Sequence, residues 1–186
     1  STSGWLYCTR RGQGPMAPPD PWSDGGIVTL EETVRPAWID RNDHMNVLAY
    51  DILFEGAETA FYDGRGMDPG YVERRREGIF RLEKHVTYDR ELRLGTPVLV
   101  TTRLVWTDLK LFHVFHQLWN REARQRAATM ECMVAHVDLA TRRTARMTDP
   151  AQAAVWRDLA AAHATLPRPA GLGRAIGRRA GRGGAA

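Results

Sequence analysis

From Val47 to Tyr62 the chain is apolar on nearly every side of a helical wheel: Val47, Leu48, Tyr50, Ile52, Leu53, Phe54, Ala57, Ala60, Phe61 and Tyr62, interrupted by Asp51, Glu55 and Glu58. A helix apolar on most faces is a buried one, and this run is too short and too acidic to cross a bilayer. Gly56 in mid-helix costs about 1 kcal/mol against Ala, for which a close approach of helix to sheet would be the reason. Gly64, Gly66, Pro69 and Gly70 end the run, and the charged stretch 73–77 reads as an exposed short helix or loop. Around the helix the period changes to two. Residues 27–37 read as a first strand, with Val28, Leu30, Thr33 and Val34 as β-formers and Pro36 marking its end. Phe80, Leu82, Lys84, Val86 and Tyr88 alternate with Arg81, Glu83, His85 and Thr87, and three more β-rich stretches follow at 98–107, 110–119 and 127–139. Turn signals at Gly95-Thr96-Pro97 and Thr107-Asp108 space them as an antiparallel meander. Asp149-Pro150 opens a final helix to about Ala164, Asp as N-cap and Pro in the first turn. The pattern predicts an α+β fold: one long central helix wrapped by an antiparallel sheet of about five strands, plus a C-terminal helix.

The two ends differ from this core. Residues 1–25 are rich in Pro and Gly without periodicity and predict a flexible arm, in which Trp5, Tyr7 and Trp22 are candidates to pin it to the domain or to a partner subunit. Residues 26–166 form the domain, and 167–186 predict a disordered Arg/Gly-rich tail. That tail holds Arg168, Arg174, Arg178, Arg179 and Arg182 and no acid, so the formal charge of +4 belongs to the tail and not to the domain. A solvated end is favoured over an RNA-binding one, so no nucleic-acid partner is expected. Cys8 and Cys132 form no CxxC pair, and no basic-then-apolar leader is visible, which predicts a reducing, cytoplasmic location and no membrane partner.

The chemistry concentrates at Trp38-Ile-Asp40-Arg-Asn-Asp-His44-Met-Asn46, where a strand-like run meets the helix start. Asp40, at a strand end and facing a helix N-terminus, can attack a carbonyl or activate a water; alternatively it stabilises the turn or caps the helix. His44 either orients substrate or holds the loop. Asn46, with Asp43, is a candidate N-cap, or it positions substrate or water. Tyr50 either joins the core or donates a hydrogen bond into a cleft. Glu55 and Glu58 on the helix and Glu83 on a strand are alternative acids, the two helix residues being expected to face solvent or a partner. Arg90 and Arg93, with Arg103 and Lys110, could meet an anionic ligand, and Trp38, Tyr50, Phe54, Tyr62, Trp106 and Trp119 could line an apolar pocket or hold a quaternary ammonium. No metal is expected: His113 and His116 point to opposite faces of one strand, and His85 and His136 lack local ligand partners.

These residues carry a resemblance. Asp40-x-Asn42-x-His44-Met45-Asn46-x-x-x-Tyr50, followed by Leu82-Glu83-x-His85, Leu94-Gly95-Thr96-Pro97, Leu111-Phe112-His113-x-Phe115-His116 and His136-Val137-Asp138, resembles the hotdog-fold acyl-CoA thioesterases of the 4-hydroxybenzoyl-CoA thioesterase type, and within it looks like the betainyl-CoA thioesterase-like branch. The resemblance spans roughly residues 27–148. It implies a hotdog fold, an acyl-CoA substrate, no cofactor, and a homodimer or homotetramer with sites between subunits. It implies Asp40 as nucleophile or general base and an oxyanion hole near residues 46–48; beside these, the residues themselves make His44 and Asn46 the expected catalytic companions of Asp40, and Tyr50, Arg90 and Arg93 the expected substrate contacts. One position departs: the family's Gly before the His is Asp43, a residue that tolerates the left-handed conformation less well than Gly but better than most. Two rivals follow from the same fold. A hotdog hydratase carries Asp-x-Asn-Pro-x-His, but here three residues, not four, separate Asp40 from His44 and no Pro follows Asn42. The other is a non-catalytic acyl-CoA or acyl-carrier binding module.

Overall fold

The computed structural model describes residues 25–176. The expectations for Trp5, Tyr7 and Trp22, and for Arg178, Arg179 and Arg182, lie outside those residues. The chain runs β1 (Ile27–Thr33), a single 3-10 turn (Pro36–Trp38), α1 (Val47–Asp63), α2 (Pro69–Arg75), β2 (Glu77–Tyr88), β3 (Pro97–Thr107), β4 (Leu111–Asn120), β5 (Gln125–Asp138), the two-residue β6 (Arg143–Thr144) and α3 (Pro150–Ala164). The strands form one antiparallel sheet in the order β1-β3-β4-β5-β2, with β6 on β5. The meander expected from spacing therefore holds only for β3, β4 and β5. β2 pairs with β5 at the far edge, and the connection from Tyr88 to Pro97 carries the chain back across the sheet.

The sheet curls around α1, giving the hotdog architecture. Val98, Val100, Leu104, Phe112, Val114, Leu118, Met130 and Val134 share a buried core with Ala49, Leu53, Phe54, Ala57, Phe61 and Tyr62 of the helix. α3 closes one end of this core: Trp156, fully buried, sits 5.6, 5.4 and 5.1 Å (ring centroids) from Phe61, Tyr62 and Phe112. Asp149 caps α3 by accepting from Ala151 N and Gln152 N at 3.0 and 3.1 Å, with Pro150 in its first turn. A Cβ at Gly56 would meet Leu30 only at ordinary contact distance, 3.8 Å, so close packing against the sheet is not what that glycine serves.

Two expectations change. The central helix is not buried all round: Val47, Leu48 and Ile52 are 58, 69 and 46% exposed. β2, whose outer edge is unpaired among the described residues, likewise exposes Phe80, Leu82 and Tyr88 at 36, 57 and 48%, and its Lys84 reaches Asp51 of the same helix at 2.7 Å. And the stretch from Pro167 onward does not leave the domain at once. Arg103, itself buried, donates to the carbonyls of His163 and Pro167, Arg126 donates to Ala170 O, and Gly173 N donates to Glu131 Oε2 at 2.7 Å. Backbone carbonyls, which composition does not reveal, hold this segment against the sheet. Arg103 is thereby committed to the structure and is no part of an anion-binding surface.

Candidate active site

The segment entering α1 is pinned from both sides. Its strand-like start is a 3-10 turn followed by one isolated bridge, Ile39 to Met45. Asp40 N donates to His44 O at 3.0 Å and Asp43 N to Asp40 O at 3.1 Å, closing a tight loop whose left-handed position is Asp43, φ 61°. Asp43 thus takes the conformation a glycine would adopt freely, and the loop keeps its shape. Met45 N donates to Leu92 O at 2.7 Å, which docks the 90–93 loop onto it. Asn46 is the N-cap: its Oδ1 accepts from Ala49 N at 3.0 Å, while its backbone N and Nδ2 both donate to Trp38 O, at 2.8 and 2.9 Å.

These bonds fix Asp40 at the mouth of α1. One carboxylate oxygen, Oδ1, accepts from Asn42 N at 2.7 Å. The other, Oδ2, lies 3.8 Å from His44 Nδ1, too far for a hydrogen bond, and the side chain remains 29% exposed. His44 instead directs Nδ1 to Met45 O at 3.2 Å. The turn-forming and chemical readings of Asp40 are therefore compatible, one oxygen for each. In the first turn of α1, the Val47 and Leu48 amides make no hydrogen bond among the described residues. Uncapped amides in a helix's first turn carry its positive dipole end and hold an anionic oxygen well.

Tyr50 joins the core, and its hydroxyl bond goes to backbone rather than into a cleft. Its ring is buried and stands edge-on to Tyr88 at 5.1 Å, and its hydroxyl donates to Arg90 O at 3.3 Å. Burial pushes that phenol up to about 12, so it stays a neutral donor. Arg90 and Arg93 are exposed at the rim. Glu91 holds Arg93 through its Nε and Nη2, at 3.1 and 2.7 Å, and the guanidinium draws the Glu91 carboxyl below its ordinary range. Of the other aromatics, Phe54 and Tyr62 are core, Trp119 is buried with Nε1 on Thr101, and Trp106 is exposed. Trp38 stands beside Asp40 with the Arg35 guanidinium 5.0 Å over its ring.

The helix acids separate. Glu55 is exposed and accepts from Arg81 at 2.8 Å. Glu58, expected to face solvent or a partner, is instead buried under α1, ion-paired with Arg81 and 3.9 Å from Cys132 Sγ. The partner that permits its burial, Arg81, lies on the edge strand 23 residues away. Glu83 is exposed on β2. The Leu92 and Trp38 carbonyls, which aim the whole loop, had no sequence signal, since any residue supplies a carbonyl.

A curled antiparallel sheet around one helix, with Asp40 on the loop that enters the helix and two uncapped amides in its first turn, is the architecture of a hotdog thioester hydrolase. The model of the thioesterase-like superfamily matches residues 34–155, and the chain belongs to that family. It is 34% identical over 151 residues to a betainyl-CoA thioesterase of Pseudomonas aeruginosa, covering 81% of this chain and 94% of that one. It is 31% identical over 160 residues to the L-carnitine dehydrogenase/betainyl-CoA thioesterase of Rhizobium meliloti, covering 84% of this chain but 31% of that longer protein. Among solved structures it resembles a Staphylococcus aureus protein in complex with CoA, with a TM-score of 0.75, 27% identity, and coverage of 82% of this chain and 96% of the other.

Proposed function

We propose that this chain hydrolyses acyl-CoA with Asp40 as the reacting carboxylate. The observation that carries the reading is the division of labour at Asp40, with Oδ1 spent on the turn and Oδ2 making no hydrogen bond, on the loop that leads directly into the uncapped Val47 and Leu48 amides. The thioester oxygen would sit on those amides as it becomes an oxyanion. Oδ2 would either add to the carbonyl carbon, expelling CoA thiolate and leaving an anhydride for water to open, or take a proton from the attacking water. His44 and Asn46 would hold the loop in register, and Arg90 and Arg93 would meet the CoA phosphates at the rim. The non-catalytic reading loses its main support, because Asp43 leaves the loop closed rather than distorted.

The assembly we propose rests on the surface. A long unpaired strand edge flanked by exposed Phe80, Leu82, Tyr88, Val47, Leu48 and Ile52 invites pairing with another chain. A second copy using the same edge gives a closed homodimer and covers the helix mouth. No helix of the described residues is long and apolar enough to cross a membrane, and the buried free thiol of Cys132 suits a reducing cytoplasm.

The test is free-thiol release from a panel of acyl-CoAs that begins with betainyl-CoA, the substrate in the relatives' names. Asp40→Asn keeps the acceptor for Asn42 N and should retain the fold and bind acyl-CoA while losing at least about 10²-fold in turnover. Turnover surviving that change would move the acid elsewhere, and binding without turnover by the unaltered protein would return the non-catalytic module.

A further inference from the structure

Roughly 16 Å along α1 from the site just described, a second polar cluster is buried where the fold should be driest. Glu58 of α1, His116 of β4 and Cys132 of β5 are 4, 0 and 2% exposed, and one potential ligand atom from each lies within 4.8 Å of the others. We propose that these three side chains bind one zinc-class divalent cation, a site independent of the hydrolytic reaction.

The hydrogen-bond network leaves a lone pair for it. Thr29 Oγ1 lies 3.3 Å from Val100 O, and a carbonyl only accepts, so the Thr29 hydroxyl proton points there. Thr102 must then donate to Thr29, 2.8 Å away, and accept from His116 Nδ1, also at 2.8 Å. This places the imidazole proton on Nδ1. Nε2 is left as an unprotonated, fully buried nitrogen with no hydrogen-bond partner. A histidine whose Nδ1–H is fixed by a fixed acceptor is the arrangement in which Nε2 ligates metal. His116 has Thr102 on one neighbouring strand and, on the other side, β5, which carries Cys132.

The carboxylate is divided in the same way. Arg81 holds Glu58 Oε2, while Oε1 faces Cys132 Sγ at 3.9 Å. Ligands of a tetrahedral zinc stand roughly 3.3–3.5 Å apart for its usual bond lengths, so this pair needs to close by only a few tenths of an ångström. Thiolate, imidazole and carboxylate together suit zinc or cobalt(II) rather than the oxygen-seeking magnesium and calcium. Arg81 does not bar the ion, because the charges close. On binding, the Cys132 thiol releases its proton to solvent as the sulfur–metal bond forms. The two charges of the cation then meet one thiolate and one carboxylate, and the guanidinium keeps Glu55 as its counter-ion at 2.8 Å. Arg81 Nε, a second buried atom without a partner, is a donor for a water in the fourth position. Local spacing, by which no metal is expected, does not reveal this set, because it takes one ligand from each of three elements.

The experiment uses the full-length, untagged protein in a Cys8→Ser background, stripped with chelator and refolded with cobalt(II), since the cluster is enclosed. The expected result is one cobalt per chain, with a near-ultraviolet thiolate-to-cobalt charge-transfer band and the intense visible bands of a tetrahedral centre. Cys132→Ala, a small apolar replacement that the core accommodates, should melt cooperatively, take up no cobalt and lack the charge-transfer band. His116→Asn should likewise lose stoichiometric uptake. Absence of stoichiometric cobalt in the folded parent would overturn the proposal and leave the cavity to water, as would a charge-transfer band that survives Cys132→Ala.

Discussion

Substitutions at Asn46 separate the stability of the helix start from its proposed role in holding an oxyanion. In Asn46→Ala the helix loses its N-cap bond from Ala49 N and the side-chain bond to Trp38 O. The cap is worth about 1 kcal/mol, and the second bond about 1 kcal/mol more. Trp38 O is not orphaned, because the Asn46 backbone N still donates to it at 2.8 Å. A loss of about 2 kcal/mol corresponds to a melting temperature lower by about 4–8 °C for a chain of this size. Asn46→Asp behaves differently. It keeps the cap acceptor and sets a carboxylate on the helix dipole, a gain of about 0.3–1 kcal/mol, which offsets most of the lost Nδ2 bond. Its melting temperature should therefore stay close to the parent's. Turnover should not. The new negative charge stands beside the Val47 and Leu48 amides and competes with the oxyanion, so kcat/KM should fall at least tenfold, about 1.4 kcal/mol of transition-state stabilisation. The assay is a thermal melt and a thiol-release progress curve on both variants. Parent-like kcat/KM in a stably folded Asn46→Asp would refute the assignment of the oxyanion to this helix start.

Further outcomes follow from the same coordinates. Asp43→Gly relieves a left-handed backbone at φ 61° and should stabilise the fold by about 1 kcal/mol, visible as a higher denaturation midpoint; Asp43→Val should lower it. His163 takes the Leu104 N–H on Nδ1 at 3.0 Å and is buried, and that burial holds its pKa down at about 4. The unfolded chain therefore binds a proton below its ordinary value of about 6.5 that the folded chain refuses. Stability should be full above that value and fall as the pH drops from 6.5 towards 4, and His163→Asn, which keeps an acceptor but does not titrate, should flatten this slope in urea titrations. Leu82→Lys, a charge on the free strand edge, should convert dimers to monomers in sedimentation and depress turnover with them; unchanged mass and rate would remove β2 from the interface.

How much of this was written in the chain depends on how local each feature is. α1 is bounded as its periodicity and its Asn46 cap require, and α3 begins at Asp149-Pro150, because capping is decided within four residues. The strands are likewise legible from alternation, although β2 starts three residues earlier than its apolar run. Pairing is not local. Nothing in Phe80 to Tyr88 says that it joins β5 rather than β3, and the meander fails there. Among the candidate site residues, Asp40, His44 and Asn46 were visible by type and spacing, whereas the groups that aim them are the carbonyls of Trp38, Met45 and Leu92. Glu58 was misplaced for a related reason: an acid can be buried only if a cation arrives, and Arg81 arrives from another element.

The apolar excess of α1 is the one long-range feature that local pattern does encode. A helix with a single cover needs one stripe about 100° wide. Val47, Leu48 and Ile52 lie outside the stripe that the sheet covers, yet they are apolar, and they belong to the first turns of the helix where the oxyanion is proposed to sit. In a monomer they would expose a hydrophobic rim around the two free amides, in full contact with water, where an oxyanion gains least from them. Covered by a second chain, the same residues exclude water from that point and strengthen every interaction there. On the proposed mechanism and assembly, the composition of the helix serves the chemistry as well as folding, and this is why an assembly-disrupting change such as Leu82→Lys is expected to reach the rate without touching Asp40.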